Sequence, residues 1–279
     1  MNSDNAQGVN PIELADKVTI ITGAGSGIGR SLALKFAAEG AAVVVCTDLD
    51  GNSAAETVRL LGEAGHGGLF EARALDVSDE RSVEQVAVDT EAAHGRVDVF
   101  VSNAGYGRRG GLDLPTDEWE KMMAVHTWSH LSAARAVIPG MVERGGGYLL
   151  NTASAAGLLT QIDSGPYAVS KHAAVALAEW ILINHADGGI GVSVLCPQAV
   201  RTNILGDRAA IAADEARQAA GDGILEPDDV ADACVEAMRE GRFLVLPHPE
   251  VSTYFLRKAT DYDRWLGGMR RFRRRLVGA

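Results

Sequence analysis

Tyr167 and Lys171 stand four residues apart in a stretch, Pro166–Ala186, whose apolar spacing predicts a helix, so both side chains project from one helical face. A free phenol, with a pKa of about 10, is too weak an acid to trade protons near neutrality. A nearby ammonium stabilises the phenolate and lowers that value. Ser154, 13 residues earlier and at the end of an apolar run, offers a hydroxyl that can donate to a reacting oxygen and orient it. The three together suit general acid–base chemistry on an oxygen-bearing carbon. Taken alone, the Tyr167/Lys171 pair is equally a solvent-facing helical doublet, so its surroundings decide.

A second cluster precedes it. Val18-Thr19-Ile20-Ile21 is a short β-branched run, followed at once by Thr22-Gly23-Ala24-Gly25-Ser26-Gly27-Ile28-Gly29 and then a helical pattern to Glu39. Glycine there lets the backbone turn tightly and approach a pyrophosphate, whose charge suits exposed N–H groups at a helix start. This strand–loop–helix context is what a dinucleotide-binding loop requires. Asp48, 25 residues beyond Gly23 and closing the next apolar run, can accept both adenosine ribose hydroxyls and repel a 2′-phosphate, favouring NAD over NADP. Asp50 could fill the same role.

The elements that must position these groups alternate. Strand-like runs occur at Ala42–Cys46, Leu69–Leu75, Val97–Val101, Tyr148–Thr152, Gly191–Leu195 and Phe243–Leu246 as well as at Val18. Helical patterns lie between them, at Ser53–Glu63, Thr116–Val142 and Pro166–Ala186. Runs apolar throughout call for cover on both faces. The expected architecture is therefore α/β, a doubly wound parallel sheet of about seven strands flanked by helices, the Rossmann fold. No linker or repeat divides the chain, so residues 1–11 are expected to be a flexible tail and 12–279 one domain.

The ordered set of motifs across residues 17–246 resembles the short-chain dehydrogenase/reductase family, compact single-domain type. The glycine turn has that family's Thr-Gly-x-x-x-Gly-x-Gly form. Asp76-Val77 resembles its adenine-contacting pair, and Ser102-Asn103-Ala104-Gly105 its Asn-Asn-Ala-Gly turn. Tyr167-Ala168-Val169-Ser170-Lys171 is its Tyr-x-x-x-Lys signature, and Pro197-Gln198-Ala199-Val200-Arg201-Thr202 stands where the family has Pro-Gly. The resemblance implies an NAD-dependent oxidoreductase interconverting a secondary alcohol and a ketone. Ser154, Tyr167 and Lys171 would be catalytic, with Lys171 also holding the nicotinamide ribose. The cofactor would lie on Gly23, Gly25, Ser26, Gly27, Ile28, Gly29, Asp48, Asp76, Val77, Asn103, Ala104, Gly105, Tyr167, Lys171, Pro197, Val200 and Thr202. The family's fourth catalytic residue is an asparagine whose backbone carbonyl helps hold a water on the lysine; His126 occupies its place here. His126 either keeps that relay, adding a titrating group, or is a plain helix residue. A homodimer or homotetramer built on the long helices, through Trp128, Leu131, Ala133, Val175, Leu177 and Trp180, is also implied.

Composition narrows the partners. A net charge of −11 argues against nucleic acid, and no stretch of about 18 uncharged apolar residues is present to span a bilayer. The polar N-terminus lacks an apolar leader core, and Cys46, Cys196 and Cys234 lack paired spacing, so a reducing, cytoplasmic setting is expected. His126 and His130 have the i, i+4 spacing of half a metal site but no third ligand, so no metal is expected. Leu158, Leu159 and Ile162 suggest an apolar substrate wall, with Arg108 and Arg109 available to an anionic group. Residues 204–223 read as a mobile helical lid, and the Arg-rich tail as a solvated helix. The expected substrate is a hydrophobic alcohol or ketone. An epimerase or lyase on the same scaffold, and a non-catalytic NAD-binding sensor or interaction protein, are the alternatives.

Overall fold

The computed structural model describes residues 8–205 and 222–276. Seven parallel strands, β1 Val18–Thr22, β2 Val43–Asp48, β3 Leu69–Ala74, β4 Val99–Ser102, β5 Gly147–Thr152, β6 Ile190–Leu195 and β7 Leu244–Val245, form one sheet in the order β3-β2-β1-β4-β5-β6-β7. Helices α1 Gly27–Ala38, α2 Gly51–Glu63, α3 Glu80–His94, α4 Thr116–Met123, α5 Ser129–Glu143, α6 Ala156–Leu159, α7 Gly165–His185, α8 Pro227–Glu240, α9 Glu250–Thr260 and α10 Tyr262–Leu276 follow in chain order among the described residues.

Alternation across the sheet makes two cores. Ile20, Val45 and Val192 face a layer with Val83, Val137, Ala174 and Ala178 of α3, α5 and α7. Ile21, Val44 and Val99 face Leu32, Phe36, Val230 and Met238 of α1 and α8. Strands β1 and β6 are buried at every position, and their polar residues are internally satisfied: Thr19 Oγ1 donates to Val43 O at 2.9 Å and Ser193 Oγ to Arg242 O at 2.6 Å. The chain order reverses at β1, between β2 and β4, so the carboxyl ends of β1, β4, β5 and β6 open onto one crevice.

Four expectations change. Strand β3 is not covered on both faces: it is the sheet edge, and each of its residues is exposed or half-buried. The expected tail is docked from Val9, which is buried, and Asn10 Nδ2 donates to Ala186 O at 2.8 Å. The stretch expected as one helix over Thr116–Val142 is broken by a π-helical turn, Ala124–Trp128. Ala133 and Val175, expected on subunit faces, point into the core, whereas Trp128 and Trp180 are exposed. The expected lid falls mostly on 206–221, outside the described residues.

Candidate active site

The crevice is laced by polar residues at successive strand ends. Thr22 Oγ1, closing β1, accepts from the Asn103 and Ala104 amides at 2.9 and 3.1 Å. Asn103 Nδ2 donates to Thr22 O at 3.0 Å, and its Oδ1 accepts from Thr152 Oγ1 at 3.2 Å. Lys171 Nζ in turn donates to Thr152 O at 2.8 Å. Sheet register thus reaches α7 through one continuous set of bonds. Thr22 and Thr152 were not among the expected site residues; their signal is a hydroxyl ending an otherwise apolar strand.

Helix α7 begins at Ser164, whose side chain accepts from Tyr167 N at 3.4 Å, with Pro166 in the first turn. That start directs Tyr167 and Lys171 into the crevice. Ser154, which follows β5, accepts from Ala156 N at 3.1 Å, lies 3.5 Å from Pro197 O, and is near enough to the Tyr167 hydroxyl to favour its ionised form. Lys171 Nζ lies 5.8 Å from the Tyr167 ring centroid. Ser154, Tyr167 and Lys171 are therefore brought together from two distant stretches.

Electrostatics depart from expectation at the phenol. Burial pushes Tyr167 up from 10.0, and the Ser154 hydrogen bond only partly opposes it. Lys171 is also desolvated, which pushes its ammonium down to about 8. That depression is a stability statement. Between about pH 8 and 10.5 the unfolded chain binds the proton that folded Lys171 gives up, so this residue's penalty is full below pH 8 and fades as pH rises. At pH 7 it corresponds to about 3 kcal/mol, offset by about 1 kcal/mol for the bond to Thr152. Lys171→Met should therefore raise stability by about 2 kcal/mol at pH 7, with the gain gone at about pH 9.8 and replaced by a loss of about 1 kcal/mol at about pH 10.5 and above. Denaturant melts of the cofactor-free protein across pH check this; a loss of stability at pH 7 contradicts it.

His126 is fully buried in the π-helical turn. Its Nε2 accepts from Tyr106 N at 3.1 Å, which fixes the proton on Nδ1, 3.0 Å from Ser170 Oγ; that hydroxyl donates to Tyr167 O at 3.0 Å. The His126 ring meets the Tyr167 ring edge-on at 5.4 Å. Burial, then Lys171 and His130, push its pKa well below 6.5, so the titrating role does not hold: the imidazole is neutral and both nitrogens are engaged. Neighbouring His130 is buried and pushed down to about 3. No group of three metal-ligating side chains exists among the described residues.

A dinucleotide fits the glycine turn. Ser26 caps α1 without a side-chain hydrogen bond, and no acid occupies the first turn, leaving the first N–H groups free for an anion. A Cβ on Gly23, at φ +66°, would lie 2.9 Å from Ala104 Cα, and one on Gly29 would lie 2.1 Å from Gly23 O. Asp48 Oδ2 accepts from Gly25 N at 2.9 Å, at the turn itself, whereas Asp50 is spent capping α2 through Asn52 N at 3.0 Å. Val77 is buried beside exposed Asp76, whose Oδ1 accepts from Ser78 N at 2.9 Å. Across the crevice, Pro197 O accepts from Ala155 N at 2.9 Å, Val200 bridges to Leu225, and Thr202 lies over Gly27.

On the substrate side Leu158 is buried and Leu159 and Ile162 half-buried. Arg108 and Arg109 are already paired, with Glu118 and Asp163 at 3.1 Å each, so neither awaits an anionic group as expected. Burial pushes the Cys196 thiol up to about 12, which keeps it protonated.

A parallel sheet whose carboxyl ends gather a glycine turn, a serine and a Tyr-x-x-x-Lys helix defines a nucleotide-dependent oxidoreductase fold. The profile of the short chain dehydrogenases matches residues 17–211, and the chain belongs to the short-chain dehydrogenase/reductase family. It is 34% identical over 238 residues to "Probable oxidoreductase EphD" of Mycobacterium tuberculosis, covering 81% of this chain and 40% of that protein, so it spans about two fifths of that relative's length. It is 32% identical to the 1-deoxy-11-beta-hydroxypentalenate dehydrogenase of Streptomyces avermitilis, covering 87% of this chain and 88% of the relative. A short-chain dehydrogenase/reductase from Burkholderia phymatum, solved in complex with NAD, superposes with a TM-score of 0.81 at 32% identity, covering 90% of this chain and 96% of that one. No helix among the described residues is long and apolar enough to cross a membrane.

Proposed function

We propose that this chain is an NAD-dependent dehydrogenase that interconverts a hydrophobic secondary alcohol and its ketone. The observation that carries this is the convergence of Ser154, Tyr167 and Lys171 at strand ends beside an uncapped glycine turn. Bound NAD supplies the hydride acceptor. Ser154 orients the alcohol oxygen by hydrogen bonding, and Tyr167 takes its proton as hydride leaves the carbon. Tyr167 is raised without cofactor, so its activation depends on positive charge arriving at the site in addition to Lys171. Lys171 holds the ribose and keeps a cation near the phenol, and His126 stays neutral while fastening Tyr106 to the catalytic helix.

The relatives support this substrate class, since one is named as a hydroxypentalenate dehydrogenase and another was solved with NAD. The exposed Trp128 and Trp180 on the long helices suit a homodimer or homotetramer. The cofactor preference rests on Asp48, placed at the turn by Gly25 N. Asp48→Ala should erode the preference for NAD over NADP by about tenfold or more, measured as the ratio of affinities in NADH and NADPH fluorescence titrations. An unaltered ratio removes Asp48 from that role. The activity itself is tested by following NADH formation with a panel of secondary alcohols. Tight NADH binding without turnover across the panel selects the non-catalytic sensor instead.

A further inference from the structure

Helix α9 lies beyond the stretch matched by the family profile, yet its side chains reach the substrate side of the site. Lys258 is 8% exposed, and its Nζ donates to Leu158 O at 2.6 Å and faces His172 Nε2 at 3.4 Å. His172 Nδ1 lies 2.8 Å from Ala168 O, which can only accept, so Nδ1 carries the proton and Nε2 offers its lone pair to the ammonium. The ammonium also sits 5.5 Å from the Tyr262 ring centroid. None of the ion pairs among the described residues includes Lys258. What the lysine secures is the backbone it holds.

That backbone is strained. Leu158 lies in α6, four residues after Ser154, and α6 ends at Thr160, a β-branched residue at φ 94°. Such a conformation persists only where surrounding contacts over-determine it. One end of the segment is held by Ala156 N donating to Ser154 Oγ at 3.1 Å, and its middle by Lys258.

A second tie explains Gln198, the departure from the family's Pro-Gly. Its Nε2 donates to Asp222 Oδ2 at 2.7 Å, and Tyr254 of α9 donates from its hydroxyl to Asp222 Oδ1 at 2.9 Å. Gln198 N donates to His248 Nδ1 at 3.2 Å. A glycine could make only the last of these bonds. Helix α9 thus fastens both the loop after β5 and the loop after β6.

We propose that α9 is a strap that sets the substrate-facing loops, with Lys258 and Tyr254 as positioning residues for the alcohol. This rests on the dehydrogenase reading. The test uses the full-length protein and Lys258→Met, which keeps the aliphatic stem, with Lys258→Arg as the conservative variant and Tyr254→Phe for the second tie. Hydrogen exchange of the 156–160 amides should quicken about tenfold or more in Lys258→Met, while amides of β1 and β4 are unaffected. For the best alcohol of the panel, KM should rise about tenfold with kcat within about threefold and NADH affinity unchanged. Lys258→Arg should recover part of the KM, and Tyr254→Phe should loosen 197–200 rather than 156–160. Unchanged exchange at 156–160 in Lys258→Met overturns the strap, as does a parallel fall in kcat and NADH affinity. If wild-type protein turns over no alcohol, the dehydrogenase reading fails, and the exchange result alone decides the strap.

Discussion

Tyr167→Phe is expected to lose about a thousandfold in turnover while binding NADH as tightly as the wild type. The substitution removes one oxygen from a ring whose other contacts stay. The His126 ring meets it edge-on at 5.4 Å, and the backbone oxygen still accepts from Ser170 Oγ at 3.0 Å. Only the hydroxyl that is proposed to transfer the proton, and its interaction with Ser154, disappear. The loss should fall on kcat, since an interaction needed mainly in the transition state leaves ground-state binding intact. Steady-state rates beside NADH fluorescence titration separate the two quantities. Near-wild-type turnover would remove Tyr167 from the chemistry, and an equal loss of NADH affinity would make it a binding residue.

Gly29→Ala is expected to weaken NADH binding by at least about a hundredfold and to lower the melting temperature. Gly29 is in the first turn of α1 with ordinary helical backbone, so the requirement is close approach and not a special φ. The added methyl would lie 2.1 Å from Gly23 O and 2.7 Å from Asn103 Nδ2. Neither neighbour can swing aside. Gly23 O belongs to the turn, and Asn103 is bonded to Thr22 and Thr152. Relief means lifting α1 away from β1, which spreads the amides proposed to hold the pyrophosphate. NADH titration and a thermal melt measure both effects; unchanged NADH affinity would show that the turn is not the cofactor cradle.

Motifs that close a strand or share one helix face were legible in the sequence. The glycine turn and Ser154 are of the first kind, aligned by sheet register, and the Tyr167/Lys171 pair is of the second. Groups whose behaviour depends on neighbours far along the chain were not. Nothing near Arg108 in sequence says that Glu118 will meet it across a loop, and Arg109 finds Asp163 54 positions away. His126 was legible as a departure from the family pattern, but its lowered pKa comes from burial first, then from Lys171 on a distant helix and from His130. The Tyr167 phenol shows the same limit. Spacing predicted a cation beside it, while burial of the phenol itself, a property of the packed interior, sets the direction of its shift. Leu69–Leu75 reads as a strand and the strand spans Leu69–Ala74, yet its place at the sheet edge follows from which strands pair, which periodicity does not encode.

The most direct measurement follows the hydrogen itself. Incubation of the protein and NAD with secondary alcohols deuterated at the carbinol carbon, followed by mass spectrometry of the reduced cofactor, should place one deuterium on NADH for at least one alcohol, and none for Tyr167→Phe. NADH that binds yet acquires no deuterium from any alcohol of the panel, or label that passes to water instead, would contradict direct hydride transfer beside Ser154, Tyr167 and Lys171.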